Sequence, residues 1–117
     1  MMRLILADDQ IKVRSALGLL FEQVPDLQVV GEAADATGLL LAVAEKKPDV
    51  VLLDWELPGL PAAQLVRLLL YERPSLKIIA MSSRPEVKRL SLDAGAHAFL
   101  SKSESPPCVL SIIRTFL

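Results

Sequence analysis

Short apolar runs alternate along the chain with stretches in which apolar residues recur every three or four positions, and the alternation repeats five times. RLILA (3–7) is short, apolar and bounded by two aspartates, which predicts a first strand. Residues 11–24 put Leu17, Leu20, Phe21 and Val24 on one helical face, and Pro25 and Asp26 end that helix. LQVVGEA (27–33) predicts the second strand. Asp35 is placed to cap a helix carrying Leu39, Leu40, Val43 and Ala44 that stops near Pro48. DVVLLD (49–54) predicts the third strand, and the loop WELPGLP leads into a helix over about 62–72 closed by Pro74. LKIIAMS (76–82) predicts the fourth strand. Ser83 and Glu86 then have the spacing of a capping box, so a short helix is expected from there to Gly95. AHAFLS (96–101) predicts the fifth strand, and Ser105 with Pro106 predicts the N-terminus of a last helix.

Continuous apolar strands alternating with amphipathic helices imply a parallel sheet covered on both faces, a doubly wound α/β fold of five βα units. Right-handed crossovers place every strand-to-helix loop at the same edge of such a sheet. Ligands bind there, outside the carboxyl ends of the strands.

Composition narrows the picture. The 117 residues suffice for one domain, expected to span 1–117. No apolar stretch reaches the roughly 18 residues that span a bilayer, and MMRLILADD meets two acids too early for a signal peptide. The net charge of −1, with Lys and Arg scattered, argues against nucleic-acid binding by this segment itself. One cysteine, Cys108, rules out an internal disulfide and fits a reducing, cytoplasmic setting.

The strand ends carry the chemistry. Strand one ends in Asp8 and Asp9, strand three in Asp54, strand four in Ser82 and Ser83, and strand five in Ser101 and Lys102. If these strands are neighbours, three carboxylates, a hydroxyl and an ammonium converge. Two carboxylates about 4 Å apart repel by on the order of 4 kcal/mol at an effective dielectric near 20, so three of them require protons or a cation. Oxygen ligands without a Cys/His set suit Mg²⁺ rather than zinc. A metal, an ammonium, a hydroxyl and a carboxylate suit phosphoryl transfer, with Asp54 as the nucleophile that becomes an aspartyl phosphate.

From RLILADD to the last helix, the chain resembles a response-regulator receiver domain of two-component signalling. The resemblance implies a flavodoxin-like sheet of strand order 2-1-3-4-5. It implies that Asp54 is the phosphoacceptor, that Asp9 binds Mg²⁺ directly, that Asp8 acts partly through water, and that the backbone carbonyl of Glu56 is a further ligand. Ser82 resembles the hydroxyl residue and Lys102 the lysine that bond the phosphoryl group, and Phe99 falls on the aromatic position that reports activation. A histidine kinase or phosphotransfer protein is implied as donor. DDQIKVRSAL and GAHAFLSKS lean toward receivers with a helix-turn-helix output domain, so DNA would be met only through a domain outside these residues. The pattern departs in three places, the first being Gln10, where related regulators often carry His or another residue. The loop after Asp54 reads Leu57-Pro58, with Pro61 and Ala62 where the family's glycine is usual, so a rebuilt start of the third helix is expected. Ser103, not proline, follows Lys102. A cis bond before a non-proline residue costs roughly 2.5–4 kcal/mol, so a trans bond is expected.

Two rival functions stay open on the residues alone. One is a Mg²⁺-dependent phosphatase with an aspartyl nucleophile and Glu56 as general acid; the other is a receiver-like binding module that is never phosphorylated. A switch, not a metabolic enzyme, is the main expectation. Ser83 is read as the helix cap, which frees Ser82 for the pocket. Phe99 is equally a core residue or a switch, Trp55 a surface-loop ring beside the pocket, His97 a plain surface residue and Cys108 a small helix residue. The Glu56 side chain either influences attacking water or points to solvent. In PPCVLSIIRTFL, Val109, Ile112, Ile113 and Phe116 form a core stripe, with Leu110 and Leu117 outside it. A homodimer, a docked output domain or a bare interdomain face would each explain that surplus of apolar residues.

Overall fold

A computed structural model describes all 117 residues, Met1–Leu117. The elements follow the order β1 (Met2–Ala7), α1 (Ile11–Phe21), β2 (Leu27–Ala33), α2 (Ala36–Lys46), β3 (Val50–Asp54), α3 (Ala62–Glu72), β4 (Lys77–Ser82), α4 (Val87–Asp93), β5 (Ala98–Ser101) and α5 (Pro106–Arg114). The strands form one sheet in the order β2-β1-β3-β4-β5, and every pairing is parallel. This is the expected flavodoxin-like arrangement.

Strand alternation explains why the central strands read as unbroken apolar runs. Ile5, Val51, Leu53, Ile78 and Ala80 enter one core with Leu39 and Val43 of α2 and Leu65, Val66 and Leu69 of α3. Leu4, Leu6, Val50, Leu52, Ile79 and Met81 enter a second core with Phe21 of α1 and Val109, Leu110 and Ile113 of α5. With both faces covered, neither parity can be polar. All five residues of β3 are buried, Asp54 among them.

Several local expectations are corrected. α1 closes at Phe21 rather than running to residue 24; Val24 still reaches the core, from the turn that follows. β5 begins at Ala98 rather than at 96, although the backbone N–H of His97 is already bonded to the Ile78 carbonyl of β4. Ser83 caps nothing and is exposed. The hydroxyl of Ser82 takes the Arg84 N–H instead, at 3.1 Å, a serine turn one residue earlier than expected. Ser105 makes no side-chain cap, although Pro106 does begin α5. Leu110 is buried beside Val109 and Ile113, so α5 leaves less apolar surface bare than its sequence implies; Leu117 is exposed. Asp35 does cap α2, accepting the Gly38 N–H at 2.7 Å.

The loop after β3 is tied to the start of α2. Leu57 is buried, the Pro58 carbonyl accepts the Ala36 N–H at 2.8 Å, and α3 starts behind Pro61 without a side-chain cap. Gly59 has φ +116°, and a Cβ there would lie 3.0 Å from that of Ala36, so only glycine lets this loop close on the start of α2.

His97 is exposed as a residue, yet its ring is not idle. Nδ1 accepts the Ile78 N–H at 3.0 Å while its own backbone N–H donates to the Ile78 carbonyl at 2.8 Å. Burial, reinforced by the charge of Lys77, lowers its pKa below 6.5. A lowered folded pKa means a contribution that is complete above the unfolded value and lost as pH falls through the folded one. His97→Asn, which keeps an acceptor but cannot titrate, is therefore expected to lose less stability than the parent between pH 7.5 and 5. Urea midpoints across that range check it.

Candidate functional site

Four strand ends meet at the carboxyl edge of the sheet. β1 delivers Asp8 and Asp9 and β3 delivers Asp54; β4 delivers Ser82, and β5 delivers Lys102 through the loop beyond Ser101. Asp8 and Asp54 are each 1% exposed and Ser82 is fully buried, whereas Asp9 is open to solvent. Burial of two carboxylates side by side is tolerated because Lys102 lies between them, its Nζ 2.9 Å from Asp8 Oδ2 and 3.4 Å from Asp54 Oδ1. The Lys102 backbone N–H continues the β4–β5 ladder by donating to the Ser82 carbonyl at 3.0 Å, which fixes where its side chain departs. Every peptide bond is trans, including the one before Ser103.

Backbone donors set the carboxylates. Asp8 Oδ1 accepts the Gln10 N–H at 2.8 Å and Asp54 Oδ1 the Glu56 N–H at 3.1 Å. Arg14, which sequence reasoning missed, ties the turn after β1 to β2: it donates to the Asp8 carbonyl at 2.6 Å and pairs with Glu32 at 2.8 Å. Its position on the first turn of α1, just past the paired aspartates, was the available signal.

The electrostatics are unbalanced. Burial raises the pKa of Asp54; the Glu56 N–H opposes that rise, the charge of Asp8 adds to it, and Lys102 again opposes it. Burial alone would lower the pKa of Lys102, but its close contact with Asp8 and the charges of both acids carry it above the usual lysine value. The two directions are compatible because one ammonium is shared by two buried acids. Lys102 gains from both, and Asp54 is not fully compensated.

That imbalance is where a cation fits. One carboxylate oxygen from each of Asp8, Asp9 and Asp54 lies within 4.8 Å of the others. Asp8 Oδ2 is buried and, although close to Lys102, has no aligned hydrogen-bond donor. Hard oxygen ligands with one member open to water match a small divalent ion that keeps part of its hydration.

Ser82 and Glu56 differ from expectation. Ser82 is in the pocket but not free: its hydroxyl donates to Glu56 Oε1 at 2.9 Å and accepts from Arg84 N–H. The Glu56 side chain neither points to solvent alone nor faces an open pocket, since its other oxygen accepts from Arg84 at 3.0 Å. Trp55 and Phe99 are half-buried against the core shared by α2 and α3, so Trp55 is less of a surface ring than its loop position suggests.

Residues 4–114 match the family model of the response regulator receiver domain. The chain is 34% identical over 107 residues to the uncharacterized transcriptional regulatory protein YhcZ of Bacillus subtilis, covering 90% of this chain and 50% of that protein. It is 33% identical over 117 residues to the response regulator GacA of Pseudomonas viridiflava, covering 97% of this chain and 54% of that one. The crystal structure of a LuxR-family two-component response regulator from Aurantimonas sp. superposes with a TM-score of 0.90 at 28% identity, over 98% of this chain and 84% of the other. The chain thus spans about half the length of the curated relatives it matches. With the sheet order, the acidic strand ends and these matches in agreement, the chain belongs to the response regulator receiver domain family.

Proposed function

We propose that residues 1–117 act as one phosphoacceptor module in which Asp54 receives a phosphoryl group from a phosphohistidine donor, a histidine kinase or a phosphotransfer protein. An Asp54 carboxylate oxygen forms the O–P bond as the P–N bond breaks, and the electron pair leaves on the imidazole nitrogen. Asp8, Asp9, Asp54 and the Glu56 carbonyl would hold Mg²⁺, which when bound offsets the charge of the crowded acids and of the transferring group. Lys102 is placed to pair with one phosphoryl oxygen, and Ser82 to donate to another once it turns inward, with Phe99 repacking beside it. The single observation that carries this reading is the trio of carboxylates around Lys102 at neighbouring strand ends. The name of one relative, a transcriptional regulatory protein, supports control of transcription; a DNA-binding output domain, a cytoplasmic setting and dimerisation as one route of output are parts of the same proposal. No helix is long and apolar enough to cross a membrane.

Incubation with phosphoramidate and Mg²⁺ followed by intact mass tests the reading. One added phosphoryl group supports it; none supports a receiver-like binding module; steady turnover of a small phosphate ester supports an aspartyl phosphatase. Metal binding has its own test. A ligand that binds only the folded state stabilises it by about 2.7 kcal/mol at one hundred times its dissociation constant. Mg²⁺ is expected to raise the melting temperature accordingly. Asp9 is exposed, so Asp9→Asn should melt near the parent without metal and lose most of that rise.

A further inference from the structure

A serine hydroxyl has one proton to donate. In Ser82 that proton goes to Glu56 Oε1, 2.9 Å away, and the oxygen is occupied in turn by the Arg84 N–H at 3.1 Å. Ser82 makes no hydrogen bond to Asp54. The Glu56 carboxylate is held in place from its far side, where Arg84 lies 3.0 Å from Oε2 and itself reaches Glu86 at 3.8 Å. The inner bond is part-buried and charge-assisted, which makes it a strong one of its kind. The outer pair is about half exposed on both partners, so it steers more than it stabilises.

A phosphoryl group on Asp54 presents only acceptor oxygens, as does the Glu56 carboxylate, and both compete for one proton. We infer that Glu56 is a latch on Ser82: it holds the hydroxyl proton away from Asp54, and the switched state forms only as the Ser82–Glu56 bond breaks. Glu56 is thus a positioning residue that acts through Ser82 and sets how readily this receiver holds its adduct. The inference rests on the phosphoacceptor reading of Asp54 and adds a brake to it. The signal in the sequence is a matched offset: Glu56 lies two residues past Asp54, and Arg84 two past Ser82.

A double-mutant cycle separates the latch from simple charge repulsion. Glu56→Gln keeps the length and an acceptor but removes the charge, and the half-exposed side chain leaves the fold intact. Beryllofluoride with Mg²⁺ serves as the phosphoryl mimic, with affinity read by calorimetry. Exchanging a charged for a neutral hydrogen-bond acceptor predicts about fivefold tighter binding by E56Q than by the parent. In a Ser82→Ala background the same exchange should change affinity less than about twofold, because there is no proton to contest. Equal gains in both backgrounds would assign the effect to repulsion and overturn the latch, and so would no gain in the parent background. Phosphoramidate with intact mass keeps the two readings apart. A parent that takes the phosphoryl group while E56Q shows no gain sinks the latch alone. Failure of both proteins to take any adduct sinks the phosphoacceptor reading and the latch with it.

Discussion

Asp54→Asn takes no phosphoryl group from phosphoramidate and Mg²⁺ under conditions where the parent gains one, and the metal-free variant melts at a higher temperature than the parent. The first half follows from chemistry. An amide oxygen lacks the charge that makes a carboxylate a nucleophile toward phosphorus. Loss should be complete by intact mass. An adduct that survives in the variant would move the acceptor to another residue.

The second half follows from burial. Asp54 is withdrawn from water beside Asp8, and its pKa is raised, burial being the largest cause. The folded state therefore binds this proton more tightly than the unfolded chain. The ionised carboxylate opposes folding at neutral pH, and stability rises as pH falls through the folded pKa towards the unfolded value. Asparagine keeps the shape and removes the charge, so its advantage should be present near pH 7.5 and shrink as acid protonates the parent. Melting temperatures of both proteins across that range check the sign. A variant less stable than the parent at neutral pH would mean that Lys102 compensates Asp54 fully. A site that gives up stability for a reactive carboxylate is what a functional pocket, and not a structural ion-pair cluster, should show.

The sheet and the charged pocket were legible in the sequence for one reason: each depends on a residue's place in an element. Val50 to Leu53 read as a buried strand because both parities meet a helix layer, and Asp54 stood out because it closes that run. Asp8, Asp9 and Lys102 were legible as ends of strands. What the sequence did not show depends on loop geometry. Ser83 and Glu86 have capping spacing, yet Ser82 captured the Arg84 N–H first, and the chain after β4 turned before the helix began. The contact of Glu56 with Ser82 exists only because β3 and β4 are adjacent and their loops face each other, which no local pattern encodes. Leu110 misled for a different reason. A helical stripe drawn at a fixed period ignores that α5 packs beside α1 as well as over the sheet, and so buries a wider arc.

Lys102→Met carries the largest expected loss of stability. Its ammonium is the one positive charge between two carboxylates that are each 1% exposed. Methionine retains the apolar part of the stem, so packing is little changed while the charge disappears. Removing one partner of a buried ion pair typically costs 3–5 kcal/mol, and because the Lys102 side chain keeps 23% of its exposure we expect about 3 kcal/mol without metal. The same deletion makes the acidic cluster more negative and so a stronger cation site. Mg²⁺ should then recover a substantial part of the loss, and stabilise the variant more than it stabilises the parent. Denaturant unfolding of both proteins, with and without saturating Mg²⁺, gives the four free energies required. A loss that Mg²⁺ leaves untouched would mean that the lysine is held for packing, and that the three aspartates are not organised around a metal.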